Sequence, residues 1–291
     1  MGEIADVLIS GATSGSAYAM MAVGMSLVYG ISKVFNFAYG SFYSMGGYLA
    51  WLVFGTLLGS RFGYPPAFAI VIPALFFIGM ATERLTLRPL RAHRDWEMLA
   101  VMSTLGLALF LDNLYLAIFG PFKKSLPLLV EGHVHVAGII VSAQDIAIAV
   151  IVFSALVGLW FYLNRTKEGL AMQAVAQDMT GAEIVGIDKD RVFSLTFGLA
   201  CVLVGVGSML LAPKYFISHL GGWEILIKAW VITAFGGMGS LTGAIYAAFI
   251  LGMVEAFVGW QLGLTWTMFV LFAILIGVFI VRPQGLRGTW G

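Results

Sequence analysis

The sequence has little charge and a single cysteine. Only 11% of its 291 residues are charged, 60% are hydrophobic, and the net charge is +1. A soluble domain carries about 25% charged residues, and nucleic-acid binding requires a basic surface. The composition therefore excludes both classes. Cys201 can form no intrachain disulfide. We predict an all-α, polytopic membrane protein with lipid as its main surroundings.

Sequence patterns for catalysis, metals and nucleotides are also missing. There is no G-x-x-x-x-G-K-[ST] loop, which cradles ATP phosphates. His133 and His135 alternate as on a strand, but no third metal ligand accompanies them. We therefore predict no enzyme activity, no metal site and no bound cofactor. Any active transport would need a partner to supply energy.

The chain contains eight hydrophobic blocks. They predict nine membrane crossings if the block that glycines interrupt crosses twice. A bilayer core of about 30 Å needs about 20 helical residues, and the 36 glycines allow helices to pack closely or to break. We expect Tyr64, Pro65 and Pro66 to form a turn. The predicted spans are 4–31, 40–59, 67–82, 98–119, 143–163, 192–212, 225–235, 241–258 and 264–281.

Basic loops set the predicted orientation. Arginines and lysines cluster in the loop 83–94, in the segment 164–191 and at 282–287. Because cytoplasmic loops of membrane proteins carry the excess of Lys and Arg, these three regions should lie in the cytoplasm. The connection 120–142 should then lie outside.

The longest polar stretch, 164–191, predicts two helices. Thr166 begins the first. Thr180 and Glu183 stand at capping-box spacing, and Gly186 falls where a left-handed C-terminal residue belongs, so 181–185 predicts a short helix held at both ends. Such a helix is either a solvated linker or a rigid element that docks into a soluble partner.

Glycines interrupt the stretch 224–259 near its middle. Gly costs about 1 kcal/mol relative to Ala inside a helix, so the GGMGS run at 236–240 predicts an unwound segment between two half-helices. Unwound backbone at membrane depth needs protein or a water-filled path to satisfy it. The segment 236–245, which begins with this run, resembles 40–49, and this similarity predicts two related, inverted halves. Chance recurrence in glycine-rich helices is the alternative.

Apart from Asp6 and Asp145 at span ends, three charged residues lie inside predicted spans. A carboxylate inside a span is costly, so Asp112 is a functional-site candidate, unless its place toward the far end of the span lets it reach interfacial water. Lys228 and Glu255 lie in separate segments. We therefore expect no compact acid–base pair. A proton-driven carrier needs such pairs, so a stand-alone carrier is disfavoured. A passive channel would not need the short capped helix.

Several segments, in order, resemble the LivH-type permease of high-affinity branched-chain amino-acid ABC transporters. They are VYGISKVFNFAYG, ERLTLRPLR, STLGLALFLDN, GLAMQAVAQDMTGAEIVGIDKDRV, KAWVITAFGGMGSLTGAIYAAFILGMVEA and RPQGLRG. The resemblance covers nearly the whole chain. Asp112 departs from the pattern, because the family more usually has a neutral amide there.

The resemblance implies one transmembrane permease domain, 1–291, in the bacterial inner membrane. It would pass branched-chain or other apolar amino acids to the cytoplasm. The implied partners are a second, LivM-type permease, two cytoplasmic ATPases that hydrolyse ATP, and a periplasmic binding protein. Urea or short-amide importers share the motifs and are the alternative. In the segment 164–191, the residues matching the family's ATPase-coupling loop are Asp178, Thr180, Ala182, Glu183, Gly186 and Ile187.

Small polar and aromatic residues of the spans form the predicted translocation path. They offer dipoles rather than paired charges, so we expect a path of low intrinsic affinity, with selectivity set by the binding protein. Ordinary helix packing is the alternative for the serines of the first span. The path residues are Ser10, Ser14, Tyr18, Asn36, Tyr39, Gly40, Thr233, Gly236, Gly237, Gly239 and Ser240.

Overall fold

The computed structural model describes residues 2–55, 63–136, 139–282 and 284–287. Within these ranges the chain is helical apart from short connections and one hairpin. The helices are α1 Gly2–Ser32, α2 Tyr39–Phe54, α3 Tyr64–Thr82, α4 Trp96–Phe119, α5 Ala143–Arg165, α6 Lys167–Gln177, α7 Met179–Ile184, α8 Lys189–Leu211, α9 Gly221–Gly236, α10 Leu241–Gln261 and α11 Thr267–Val281. The strands are β1 His133–Val136 and β2 Ile139–Ser142.

Seven helices in the described ranges are long and apolar enough to cross a membrane. This confirms a polytopic helical membrane protein. α2 and α9 have 16 residues each. At 1.5 Å per residue each is about 24 Å long, shorter than a bilayer core of about 30 Å. The predicted second span, 40–59, extends into residues that lie outside the described ranges.

Two predicted connections differ in the structure. Pro65 and Pro66 lie in the first turn of α3 rather than in a turn before it, where a missing backbone N–H costs nothing. The predicted arginine loop is helical, with a π-helical turn at Glu83–Leu87 and a 3-10 turn at Arg88–Ala92. The apolar Leu87 is buried there, so the segment packs against the protein and is not a solvent-exposed loop.

An antiparallel hairpin lies within the connection predicted to be external. β1 pairs with β2 so that His133 faces Ser142. His133 is exposed, and the side chain of His135 lies outside the description. The alternation of His133 and His135 was the only strand signal here, because a four-residue strand leaves a short pattern.

The chain divides into two compact units. Unit 1 contains Met1–Ser26, Leu128–Leu156 and Ile227–Gly291, and unit 2 contains Leu27–Pro127 and Val157–Leu226. In unit 2, α8 is buried along most of its length between α2 and α3. A Cβ atom at Gly46 would lie 2.4 Å from Gly205 Cα. The α2 and α8 backbones can therefore touch because Gly46 has no side chain. A Cβ atom at Gly205 would instead lie 2.2 Å from Leu75 of α3, so this glycine allows α3 to pack closely on α8.

Unit 1 uses the same packing between α1 and α10. A Cβ atom at Gly252 would lie 2.6 Å from Gly15 Cα, and one at Gly11 would meet Met253. The high glycine content thus serves close helix contacts in both units, as predicted.

The glycine run after α9 is a tight turn rather than a break between half-helices. A Cβ atom at Gly236 would lie 2.5 Å from the carbonyl carbon of Gly243, and Lys228 of α9 contacts Glu255 of α10. The two helices therefore reverse direction at the run. The amides of Leu286 and Arg287 donate to the carbonyls of Phe235 and Gly236 at 2.8 and 3.0 Å. The C-terminal segment thereby satisfies the end of α9. The prediction of unwound residues is confirmed, whereas the prediction of two half-helices is wrong.

The proposed sequence similarity between 40–49 and 236–245 has no counterpart in secondary structure. The first segment lies entirely in α2, whereas the second covers the end of α9, the turn and the start of α10. Both are rich in glycine for different reasons: close packing in α2 and positive φ angles in the turn, at Gly237 and Gly239. The inverted halves stay a prediction.

The orientation can be tested with two exposed positions, Ser125 and Gln177. Single cysteines at these positions, in a Cys201→Ser background, should react with an impermeant maleimide from opposite sides of the membrane. Ser125→Cys should label in intact cells, because the positive-inside rule places 120–142 outside. Gln177→Cys should label only after permeabilisation. Labelling of both in intact cells would contradict the orientation.

Candidate functional site

The polar segment 164–191 forms two consecutive helices, as predicted. Thr166 caps α6, because its hydroxyl oxygen accepts a hydrogen bond from the Gly169 amide at 3.1 Å. Asp178 has an extended backbone between α6 and α7. This single extended residue ends one helix and begins the next.

The start of α7 differs from the prediction. α7 begins at Met179, and its N-cap is Asp178 rather than Thr180. The amide of Ala182 already bonds to the carbonyl of Asp178 at 3.0 Å. The predicted capping box of Thr180 and Glu183 is therefore wrong, because the extended Asp178 lets the helix begin two residues earlier.

The end of α7 is a Schellman motif, as the position of Gly186 predicted. Gly186 has φ +85°. Its amide donates to the carbonyl of Glu183, and the amide of Ile187 donates to that of Ala182, both at 3.0 Å. These two bonds satisfy the last carbonyls of the helix. A six-residue helix is thereby held in a defined shape.

The predicted coupling residues do not share one surface. Asp178, Thr180, Glu183 and Gly186 are exposed and Ile187 is half-buried. Ala182 is buried within the chain itself. It therefore supports α7 and is not available to a partner, contrary to its predicted role.

Two exposed apolar residues at the end of α7 were missed by the sequence analysis. Ile184 is 81% exposed and Val185 is 75% exposed. We call this pair the α7 tip. Two adjacent β-branched residues at the predicted end of the short helix were the available signal. The tip carries apolar surface that a partner protein could cover.

Unit 1 contains a buried ion pair that the sequence analysis did not expect. Lys228 Nζ lies 2.9 Å from Glu255 Oε1 and donates to the Tyr18 hydroxyl at 3.1 Å. The side chains of Lys228 and Glu255 are only 8% and 14% exposed. The expectation of no compact acid–base pair is therefore wrong. The α9–α10 reversal brings together two residues that are far apart along the chain.

The other predicted path residues of unit 1 have structural partners or lie at its surface. Thr233 is fully buried and donates to the Ala22 carbonyl at 3.3 Å. Ser240 caps α10 by accepting from the Gly243 amide at 3.1 Å. Ser10 is exposed and Ser14 half-buried. Gly236, Gly237 and Gly239 form the α9–α10 turn.

In unit 2, three predicted path residues lie at the start of α2. The Asn36 side-chain oxygen accepts from the Ala38 amide at 3.0 Å, and Tyr39 is fully buried. A Cβ atom at Gly40 would lie 2.4 Å from the carbonyl oxygen of Gly222. These contacts show local capping and close packing. Asn36 also lines a small cavity.

Asp112 is buried in unit 2 rather than exposed to interfacial water. It is 4% exposed. One carboxylate oxygen accepts from the Ser41 hydroxyl at 2.8 Å, and the other accepts from the Trp223 indole at 2.7 Å. Ser41 and Trp223 lie in the first turns of α2 and α9. The positive ends of these two helices favour the negative charge.

The family model and the known proteins that match this chain agree on one family. The family described as "Branched-chain amino acid transport system / permease component" matches residues 7–279. The branched-chain amino acid permease protein BraD of Pseudomonas aeruginosa is 32% identical, covering 97% of this chain and 94% of its own. LivH of Escherichia coli K12 is 32% identical over the same shares. A probable LivH of Methanocaldococcus jannaschii is 26% identical, covering 93% and 88%.

One solved structure shares the fold. PsaBC from Streptococcus pneumoniae, determined in complex with a Fab, aligns with a TM-score of 0.51 over 98% of this chain and 93% of its own. Sequence identity is 12%. The similarity therefore concerns the fold alone.

The buried ion pair predicts a non-additive effect on stability. Lys228→Met or Glu255→Gln alone should each lower the apparent Tm in detergent, because removal of one partner strands a buried charge at a cost of about 3–5 kcal/mol. The double variant Lys228→Met/Glu255→Gln should recover most of the loss. Size-exclusion thermal profiles measure this. The exposed Lys167→Met is the control. Additive losses in the double variant would contradict coupling between the two side chains.

Proposed function

The chain belongs to the family of branched-chain amino acid transport system permease components, and we propose that it forms one membrane-spanning subunit of an ABC importer for branched-chain or other apolar amino acids. The seven long apolar helices provide the membrane domain. The observation that carries the coupling role is α7, a short, rigid helix with an exposed apolar tip on the side predicted to be cytoplasmic.

The proposed partners follow from what this chain does not supply. Its sequence has no ATP-binding loop, so we assign ATP hydrolysis to two cytoplasmic ATPase subunits. A LivM-type permease would complete the membrane part, and a periplasmic binding protein would deliver the amino acid. The assembly would lie in the bacterial inner membrane. The names of the relatives favour branched-chain amino acids over urea or short amides.

The α7 tip is suited to docking on an ATPase. Full burial of one Ile or Val side chain contributes about 1.5–3 kcal/mol, so Ile184 and Val185 together offer enough apolar surface to anchor a small contact. Glu183 pairs with Lys189 of α8 at 2.5 Å. The Schellman bonds fix the shape of the tip, and only residues 185–188 separate α7 from α8, so that movement of α7 reaches the membrane helices. The exposed Glu183–Lys189 pair adds a weak contact with the start of α8.

The proposed path needs revision around the buried ion pair. Lys228, Glu255 and Tyr18 form a charged cluster in unit 1, whereas the predicted path assumed only dipoles. We retain Tyr18 as a path residue. Gly236, Gly237, Gly239 and Ser240 belong to a turn that the C-terminal segment covers, so their proposed role in the path lacks the expected geometry.

Reconstituted transport tests the function and its alternative. Proteoliposomes that contain this chain, the second permease and both ATPases should accumulate labelled leucine only when ATP is inside and the binding protein is outside. Labelled urea should not accumulate. Uptake of urea with its own binding protein, and none of leucine, would favour the amide importer. Leucine uptake by this chain alone would favour a solitary carrier.

The Schellman glycine gives a prediction with a matched control. Gly186→Val should abolish ATP-coupled leucine uptake, because a β-branched residue is strained at φ +85° and the α7 tip would lose its position. Gly186→Asn should keep most of the uptake, since Asn tolerates the left-handed region. Both variants should insert in the membrane in equal amounts. Equal uptake by the two would show that the shape of this turn is not required.

A further inference from the structure

The first turn of α8 joins three segments through consecutive charged residues. Lys189 pairs with Glu183 of α7, and Arg191 pairs with Glu168 of α6 at 3.1 Å. Asp190, between them, contacts Arg88 and Arg91, each at 2.6 Å. The pairs of Lys189 and Arg191 are exposed and therefore weak. Asp190 and Arg91 form the contact in this cluster whose cation is mostly buried.

Arg91 is the least exposed cation of this cluster, at 12%. Its guanidinium contacts both Asp190 and Glu83, and it lies 3.9 Å from the ring centroid of Phe193. Glu83 is fully buried and accepts a hydrogen bond from the Ser194 hydroxyl. The planar fork of arginine can bridge two carboxylates, which a lysine ammonium does less well. Arg91 thus ties the end of α3 to the first turn of α8.

The inner side of Arg91 faces the connection between α1 and α2. Arg91 lines the small cavity together with Ser32, Val34, Phe35, Asn36 and Thr104. In this connection Lys33 has φ +56° and the Phe37 amide donates to the Thr104 hydroxyl at 3.2 Å. Arg91 therefore lies between the residues that follow α7 and a non-helical connection in the membrane domain.

We propose that Arg91 is a positioning residue that transmits movement of α7 to the α1–α2 connection. A shift of α7 moves Asp190 through the short link 185–188. Because the guanidinium holds Asp190 and Glu83 together, the shift passes to the end of α3 and to the cavity wall. This inference rests on the proposed importer function. It predicts that loss of Arg91 uncouples ATP hydrolysis from import without dissociating the complex.

The test measures ATP hydrolysed per leucine imported by the complete reconstituted complex. Arg91→Met alone strands the buried Glu83 carboxylate, so the double variant Arg91→Met/Glu83→Gln provides the foldable form. The double variant should assemble in normal amounts, yet its ATP cost per leucine should rise on the order of fivefold or more. Arg91→Lys should give an intermediate ratio. The control, Arg84→Met, changes an exposed arginine of the π-helical turn that contains Glu83 and should leave the ratio unchanged.

A further variant tests whether Arg91 acts through Asp190 or only stabilises the fold. Adding Asp190→Asn to the double variant should cause little further change in the ratio, because both changes break the same link. An unchanged ratio in Arg91→Met/Glu83→Gln, with hydrolysis and import falling together, would overturn the proposal. If the wild-type complex itself fails to couple ATP to leucine, the importer function is at fault instead. A coupled wild type with an uncoupled Gly186→Val and a coupled double variant would refute the role of Arg91 alone.

Discussion

In an apolar surrounding, each polar group must find its partner within the protein, and much of this structure follows from that constraint. The carbonyls at the end of α9 are satisfied by the amides of Leu286 and Arg287. Asp112 lies where the first turns of α2 and α9 each provide a donor. Lys228 and Glu255 neutralise each other in unit 1. The first of these contacts completes the end of α9, and the other two join residues of different helices.

The sequence predicted features that depend on neighbouring residues and missed those that depend on tertiary contacts. The long spans and the Gly186 helix end follow from local pattern, and both are present. The Lys228–Glu255 pair could not be predicted, because it exists only once α9 and α10 reverse at the glycine run. The same run fitted two structures, since glycine permits positive φ in an intramembrane break and in a turn alike. Only the contact with the C-terminal segment distinguishes them.

The short helix α7 also shows that tertiary contacts cannot be predicted from local sequence. Gly186 was identified correctly, since a helix end with positive φ has a sequence signature. Ala182 was assigned to the partner surface but is buried. The exposed apolar positions are Ile184 and Val185. Which face of so short a helix packs inward is decided by α6 and α8, and hydrophobic periodicity gives no signal over a turn and a half.

Site-specific photo-crosslinking tests most directly whether the α7 tip meets the ATPase. p-Benzoylphenylalanine at Ile184 in the assembled complex should give adducts with the ATPase subunit. The same group at Phe216 should give none. Phe216 is 65% exposed in the loop between α8 and α9, and its neighbour Ile217 pairs with Lys124 of the connection predicted to be external. Adducts with the ATPase from the Phe216 position, or their absence at both Ile184 and Val185 in an ATPase-containing complex, would contradict the account.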